Sequence, residues 1–220
     1  MKPILAFDLD GTVISSAAAD KAHQEWFSVM AIILGDDSIN GKSGSKDYVP
    51  DVLDVMQRLT GLDKKDSTDR SMMIKYARNL YQMIYLAELK KEGPAALAPG
   101  MLDLLIDLKQ KCMLALITTA PEDMVLPALN ILKIKNIFDY VYRSPLDKEP
   151  SKTDLMRKFI KEVGKPALYI GNEKADGEAC RELGIKFALA KWGKHDEDAN
   201  ELAKFNLSEP AQLKGVINLL

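Results

Sequence analysis

Ile4-Leu5-Ala6-Phe7-Asp8-Leu9-Asp10-Gly11-Thr12, near the start of a 220-residue chain, decides the fold. From Ile4 to Leu9 the stretch is nearly continuously apolar, as in a strand buried on both faces of a parallel sheet. It ends in two acids two residues apart, and in open α/β sheets ligands bind beyond the carboxyl ends of the strands. On an extended chain Asp8 and Asp10 point to the same side. Two carboxylates that close repel unless a cation sits between them or one keeps its proton. Gly11 then permits a tight turn that a side chain would block. A strand ending in a polar turn, where Asp and Gly are common, is the ordinary alternative, and Asp-x-Asp-Gly alone does not separate the two.

Outward from this strand the chain alternates. Apolar runs recur at Met113–Ile117, Ala167–Ile170 and Phe187–Ala190, with a weaker one at Tyr140–Tyr142. Helical stripes lie between them: Met101, Leu104, Leu105 and Leu108; Val125, Leu129 and Leu132; Leu155, Phe159 and Val163; Ala175, Ala179 and Leu183. This alternation predicts an α/β fold, a Rossmann-like parallel sheet wrapped by helices. Residues 17–96 break the pattern. Helical spacing there predicts one helix carrying His23, Trp26, Phe27, Met30 and Ile33, and a second carrying Val49, Val52, Leu53 and Met56. A long third carries Met73, Ala77, Leu80, Tyr81 and Ile84, and Gly93–Gly100 reads as a return linker. The expected organisation is an α/β core of residues 1–16 and 97–220, interrupted by a small all-helical insert of residues 17–96.

Composition narrows the function. Hydrophobic residues make up 47% and charged residues 28%, which supports a packed core and excludes disorder as the main state. The net charge of −2 offers no bulk attraction for nucleic acid, so none is expected as a partner. Any anionic ligand needs a local site. Cys112 and Cys180 lack the spacing of a disulfide framework or a metal site, which predicts reduced thiols and a cytoplasmic protein. The first apolar run stops at an acid after about five residues, unlike a signal peptide. No run approaches the roughly 20 residues of a membrane span, so no membrane partner is expected. His23, beside Trp26 and Phe27, reads as packing.

The full string Asp8-Leu9-Asp10-Gly11-Thr12 after an apolar strand resembles the signature of the haloacid dehalogenase superfamily of phosphohydrolases. The order of strand, helical cap insert and remaining core is also similar, over essentially the whole chain. The resemblance implies that Asp8 is a nucleophile that attacks phosphorus and forms an aspartyl-phosphate. It implies that Asp10 is the general acid, then the base that activates water. The dehalogenase branch lacks that second Asp, so Asp10 speaks for phosphoryl transfer. Thr118, directly after the run ending Leu116-Ile117, matches a strand-end Thr or Ser that holds a phosphoryl oxygen, and Thr119 is its substrate-binding neighbour. Two residues compete for the family lysine, whose charge offsets that of phosphate and carboxylates. Lys152, before Thr153-Asp154-Leu155-Met156, resembles a Lys-Gly-Glu-Ile-Leu pattern and is preferred. Lys148, before Glu149-Pro150, resembles the Lys-Pro form with Glu intruding, and stays a substrate-binding candidate.

The segment Gly171-Asn172-Glu173-Lys174-Ala175-Asp176 is similar to the family's Gly-Asp-x-x-x-Asp, whose acids bind Mg²⁺ through oxygen. The implied metal set is Asp8, Asp10, Asn172, Glu173 and Asp176, with Asn172 standing where the family has an acid. Three readings stay open: Asn172 binds metal through its carbonyl oxygen, Glu173 or Asp176 takes over the contact, or the site binds metal poorly. The insert resembles a cap that closes over the site. Within it, Ile39–Asp47 matches a Gly-(Arg or Lys)-(Ser or Thr) loop, which makes Lys42 a candidate substrate contact against the alternative of a flexible solvated loop. The resemblance thus implies a Mg²⁺-dependent phosphatase acting on a phosphorylated small metabolite, phosphoglycolate phosphatase-like. The alternatives are a phosphomutase similar to β-phosphoglucomutase, or a low-activity regulatory protein that binds a phosphorylated ligand, prompted by Asn172.

Overall fold

In a computed structural model, residues 2–44, 48–149 and 151–218 are described. The element order is β1 (Ile4–Phe7), α1 (Ala17–Leu34), α2 (Tyr48–Thr60), α3 (Ser67–Glu92), α4 (Met101–Lys111), β2 (Met113–Pro121), α5 (Glu122–Ile131), β3 (Tyr140–Ser144), α6 (Lys152–Glu162), β4 (Leu168–Gly171), α7 (Lys174–Leu183), β5 (Phe187–Ala190), β6 (Phe205–Leu207) and α8 (Leu213–Ile217). The six strands form one sheet in the order β3-β2-β1-β4-β5-β6, every pair parallel. β1 lies in its interior, paired to β2 on one side and β4 on the other. The chain winds outward from β1 in both directions, so the carboxyl end of β1 is the topological switch point where such sheets bind ligands.

The unbroken apolar runs arise because both faces of the sheet are covered. Leu5, Phe7, Leu114, Leu116, Leu168 and Ile170 pack into one cluster with residues of α4 and α5. Ala6, Ala115, Ile117, Tyr169 and Leu189 face the opposite way, onto α6 and α7. Phe159 of α6 is fully buried there, edge-on to Tyr142 at 5.0 Å and to Tyr140 at 5.9 Å.

Several elements depart from the periodic expectation. β1 stops at Phe7, not Leu9, because the chain turns: Val13 and Ile14 both donate N–H to the Leu9 carbonyl. Asp8 and Asp10 therefore leave the strand on a turn and do not continue it. β2 runs on to Pro121 with a shift of register against β3 between Thr118 and Pro121, which puts Thr118 and Thr119 within the strand. β6 is a three-residue edge strand whose short apolar run gave no signal. On α7 the buried face is Asp176, Gly177, Ala179 and Cys180, and Ala175 is exposed. Both cysteines are buried and unbridged.

Among the described residues, 17–92 hold helices and no strand. Trp26, Phe27, Met30, Ile39, Leu53, Met56 and Met73 form a separate apolar cluster. Ile33 does not join it and is 55% exposed, although it lies one heptad after Trp26: in the last turn of α1 the inner face centres on Phe27, Met30 and Ala31 and turns Leu34 onto the cluster instead. The other ends of these helices pack elsewhere. Ala18 and Ala22 of α1, with Tyr85 and Leu89 of α3, belong to the cluster under the sheet. No helix among the described residues is long and apolar enough to cross a membrane.

The Phe159→Ala variant is expected to lose about 3–5 kcal/mol of stability, read from its urea denaturation midpoint against wild type. An unchanged midpoint would contradict the packing assigned to α6.

Candidate active site

Four elements meet at the end of β1. The Asp8 N–H donates to the Ile170 carbonyl at 2.8 Å, which extends the β1–β4 ladder by one bond and fixes the start of the turn. Gly11 makes the turn possible. Its φ is +72°, and a Cβ there would lie 2.3 Å from Nδ2 of Asn172. No side chain fits between the turn and the residue after β4. Trp192 closes the turn from behind, its Nε1–H donating to the Thr12 carbonyl at 2.8 Å.

Lys152, the first residue of α6, reaches into this junction and is 6% exposed. Its ammonium lies 2.5 Å from Oδ1 of Asp8, 2.9 Å from Oδ1 of Asp176, 2.8 Å from the Tyr169 hydroxyl and 3.3 Å from the Ile117 carbonyl. A cation at the positive end of a helix is poorly placed by the helix dipole. Two buried carboxylates reverse that balance, and Ser151 caps α6 by accepting from the Asp154 N–H. Tyr169 donates its own proton to the Ile117 carbonyl at 2.9 Å. Its oxygen is left free to accept from Lys152.

Asp176 is fully buried and both its oxygens are engaged. Oδ1 faces Lys152, and Oδ2 accepts from the N–H groups of Asn172 and Glu173, each at 3.1 Å. It anchors the start of α7, where a helix favours negative charge. Asn172 is held at both ends of its amide. Oδ1 accepts from the Thr12 hydroxyl at 3.2 Å, and Nδ2 donates to the Lys194 carbonyl at 2.9 Å. The second bond requires a donor, which a carboxylate lacks, and that gives a local reason for Asn at this position. Glu173 stands at the exposed rim.

Asp10 lies on the other side of the turn, half-buried, with Oδ1 accepting from the Tyr85 hydroxyl of α3 at 2.7 Å. Burial raises its carboxyl above the usual range, and the Tyr85 hydrogen bond works in the opposite direction. Asp8 is pushed up to about 8, because burial outweighs the pull of Lys152, with the charge of Asp176 adding to the rise. One buried ammonium thus faces Asp8 and Asp176, with Asp10 close by. The site is short of positive charge, and its donors are hard oxygens. Both properties suit a divalent cation such as Mg²⁺.

The structure brings together Asp8, Lys152, Asp176 and Asn172, with Asp10 on the turn after β1 and Thr118 in β2, next to the Ile117 whose carbonyl accepts from Lys152. Thr118 is buried, and its Oγ1 accepts from the Ala120 N–H at 3.1 Å inside the register shift of β2. The Thr119 carbonyl accepts from Nη2 of Arg78 at 2.8 Å. Lys148 is exposed, with its carbonyl, not its ammonium, engaged by Arg78. Lys42 pairs with Asp51 inside the helical insertion at 2.7 Å. The rest of its loop, Ser45-Lys46-Asp47, and Pro150 after Lys148 lie outside the described residues. His23 packs against Tyr81, ring centroids 4.8 Å apart.

Sequence reasoning missed Tyr169, Tyr85 and Arg78. Tyr169 hides in an apolar run, although a Tyr in a strand buried on both faces has to find a partner for its hydroxyl. Tyr85 continues the stripe of α3 one residue past Ile84. Arg78, which also donates to the Pro145 carbonyl at 2.6 Å, carries no periodic signal.

A family profile described as haloacid dehalogenase-like hydrolase matches residues 5–190. A phosphoglycolate phosphatase of Aquifex aeolicus (strain VF5) is 27% identical over 221 residues, covering 96% of this chain and 94% of that protein. The crystal structure of a predicted phosphatase from Clostridium acetobutylicum superposes over 100% of both chains, with a TM-score of 0.74 at 18% identity. That of the putative hydrolase YfnB from Bacillus subtilis, bound to magnesium, covers 99% of both chains with a TM-score of 0.61 at 16% identity. These two structures share the fold of this chain.

The Asn172→Asp variant loses the bond to the Lys194 carbonyl and sets two oxygens against each other. In chelator, urea denaturation should show it about 1–3 kcal/mol less stable than wild type. Equal stability would contradict the reason given for Asn172.

Proposed function

This chain belongs to the haloacid dehalogenase-like hydrolases, and from that premise we propose that it is a Mg²⁺-dependent phosphatase of phosphorylated small metabolites, working through an aspartyl-phosphate on Asp8. The observation that carries this reading is the placement of Asp8: at the switch point of the sheet, with Oδ1 held by Lys152. Oδ2 takes no hydrogen bond among the described residues. Oδ2 is then the oxygen that attacks phosphorus. The bond from phosphorus to the leaving oxygen breaks as Asp10 delivers a proton to it. Water next attacks the phosphoryl group, Asp10 takes its proton, and the bond to Asp8 breaks to release phosphate. Thr118 and nearby backbone N–H groups orient the phosphoryl oxygens.

Asp8, Asp10 and Asn172 are the residues that would hold Mg²⁺, with Glu173 at the rim and Asp176 acting through Lys152 and the start of α7. When bound, the ion offsets the charge of phosphate and carboxylates and polarises a phosphoryl oxygen. Lys152 stays protonated, because Asp176 and Asp8 raise its affinity for the proton against the effect of burial. Residues 17–96 serve as the cap that covers the site and excludes water from the first step. A curated relative named for phosphoglycolate hydrolysis puts 2-phosphoglycolate at the head of the candidate substrates.

The test is phosphate release from a panel of monoesters, 2-phosphoglycolate first, with Mg²⁺ and with chelator. Turnover is expected only with the metal. Asp8→Asn should abolish it, and Asp10→Asn should lower kcat by about 10²–10⁴-fold. No release from folded wild type on any substrate would contradict the phosphatase reading. A requirement for a bisphosphate activator would redirect it to a phosphomutase.

A further inference from the structure

We propose that Tyr85, a residue of the helical insertion, is a positioning residue that makes Asp10 a one-oxygen acid and base. The proposal deepens the phosphatase reading and rests on it. The Tyr85 hydroxyl donates to Oδ1 of Asp10 at 2.7 Å. An oxygen that accepts this bond is a poor place for the transferable proton, so the proton resides on Oδ2. As the phosphorus–oxygen bond of the substrate breaks, Oδ2 gives that proton to the leaving oxygen. In the second step Oδ2 takes a proton from water, while the new phosphorus–oxygen bond forms and the bond to Asp8 breaks.

Two features make Tyr85 suited to this task. Its side chain is fully buried in the cluster that contains Phe7, Leu9 and Ile14 under the turn carrying Asp10, and not in the insertion's own apolar cluster. The hydroxyl is therefore fixed relative to the core. A phenol carries a single proton, and here it is committed to Oδ1 of Asp10. A ring needed only to fill space would be served equally by Phe.

The experiment uses p-nitrophenyl phosphate, whose leaving group needs no proton. In Tyr85→Phe the first step, read as a burst of p-nitrophenol in rapid mixing, should proceed within about 3-fold of wild type. Breakdown of the phosphoenzyme, read as the steady-state rate, should fall on the order of 10- to 100-fold, with KM unchanged or lower. In an Asp10→Asn background the same substitution should have no further effect, since Tyr85 acts through Asp10. Equal losses in both steps, a steady-state rate within 2-fold of wild type, or additive losses with Asp10→Asn would overturn the proposal. So would loss of folding in both Tyr85→Phe and Tyr85→Leu, which assigns the residue to packing. A wild-type protein that releases no p-nitrophenol would instead overturn the phosphatase reading, and this proposal with it; a defect confined to Tyr85→Phe leaves that reading standing.

Discussion

One buried ammonium organises this molecule. Lys152 leaves water at the start of α6 and is held by carboxylates from the turn after β1 and from the first turn of α7. Burying a charge is costly, and removing one partner of such a pair typically costs about 3–5 kcal/mol, because the other charge is left uncompensated. One ion pair thus ties α6 to the turn after β1 and a second ties α6 to α7, in addition to apolar packing. The arrangement has a chemical consequence. The cation holds one oxygen of Asp8, while burial, outweighing that pull, raises the carboxyl above its usual range. Tyr169 completes the cradle by joining Lys152 to the Ile117 carbonyl.

The helical insertion is less separate from the core than its place in the chain suggests. Its upper part has its own apolar cluster around Trp26 and Phe27, while Ala18, Ala22, Tyr85 and Leu89 pack under the sheet. A second seam runs along α3. Arg78 donates to the carbonyls of Thr119, Pro145 and Lys148, the Ser71 hydroxyl donates to the Asp147 carbonyl at 2.7 Å, and Arg70 pairs with Glu149. These polar contacts link the insertion to the strand end that carries Thr118.

Much of this was legible in the sequence. The apolar runs and their helical partners reveal a parallel sheet, because burial on both faces leaves no polar positions to confuse the pattern. The order of Asp8, Asp10, Thr118, Lys152 and Asp176 along the chain foretold residues that the fold draws toward one end of the sheet. The partners were harder to see. Tyr85 and Tyr169 look like ordinary core residues until their hydroxyls are located, and Arg78 contacts carbonyls, which any residue supplies. Asn172 stands where the family has an acid, which left its part open, and its amide makes a bond to the Lys194 carbonyl that an acid cannot make. Such pairings depend on which loops meet in space, and spacing along one chain does not record that.

The most direct test of the account is to find where the phosphoryl group goes. Wild-type protein mixed with acetyl phosphate and Mg²⁺, quenched in acid and digested, should carry a phosphoryl group on the peptide that contains Asp8. Asp8→Asn should carry none. Turnover without that adduct, or an adduct on another peptide, would contradict the assignment of Asp8 as the nucleophile around which Lys152 and Asp176 are arranged.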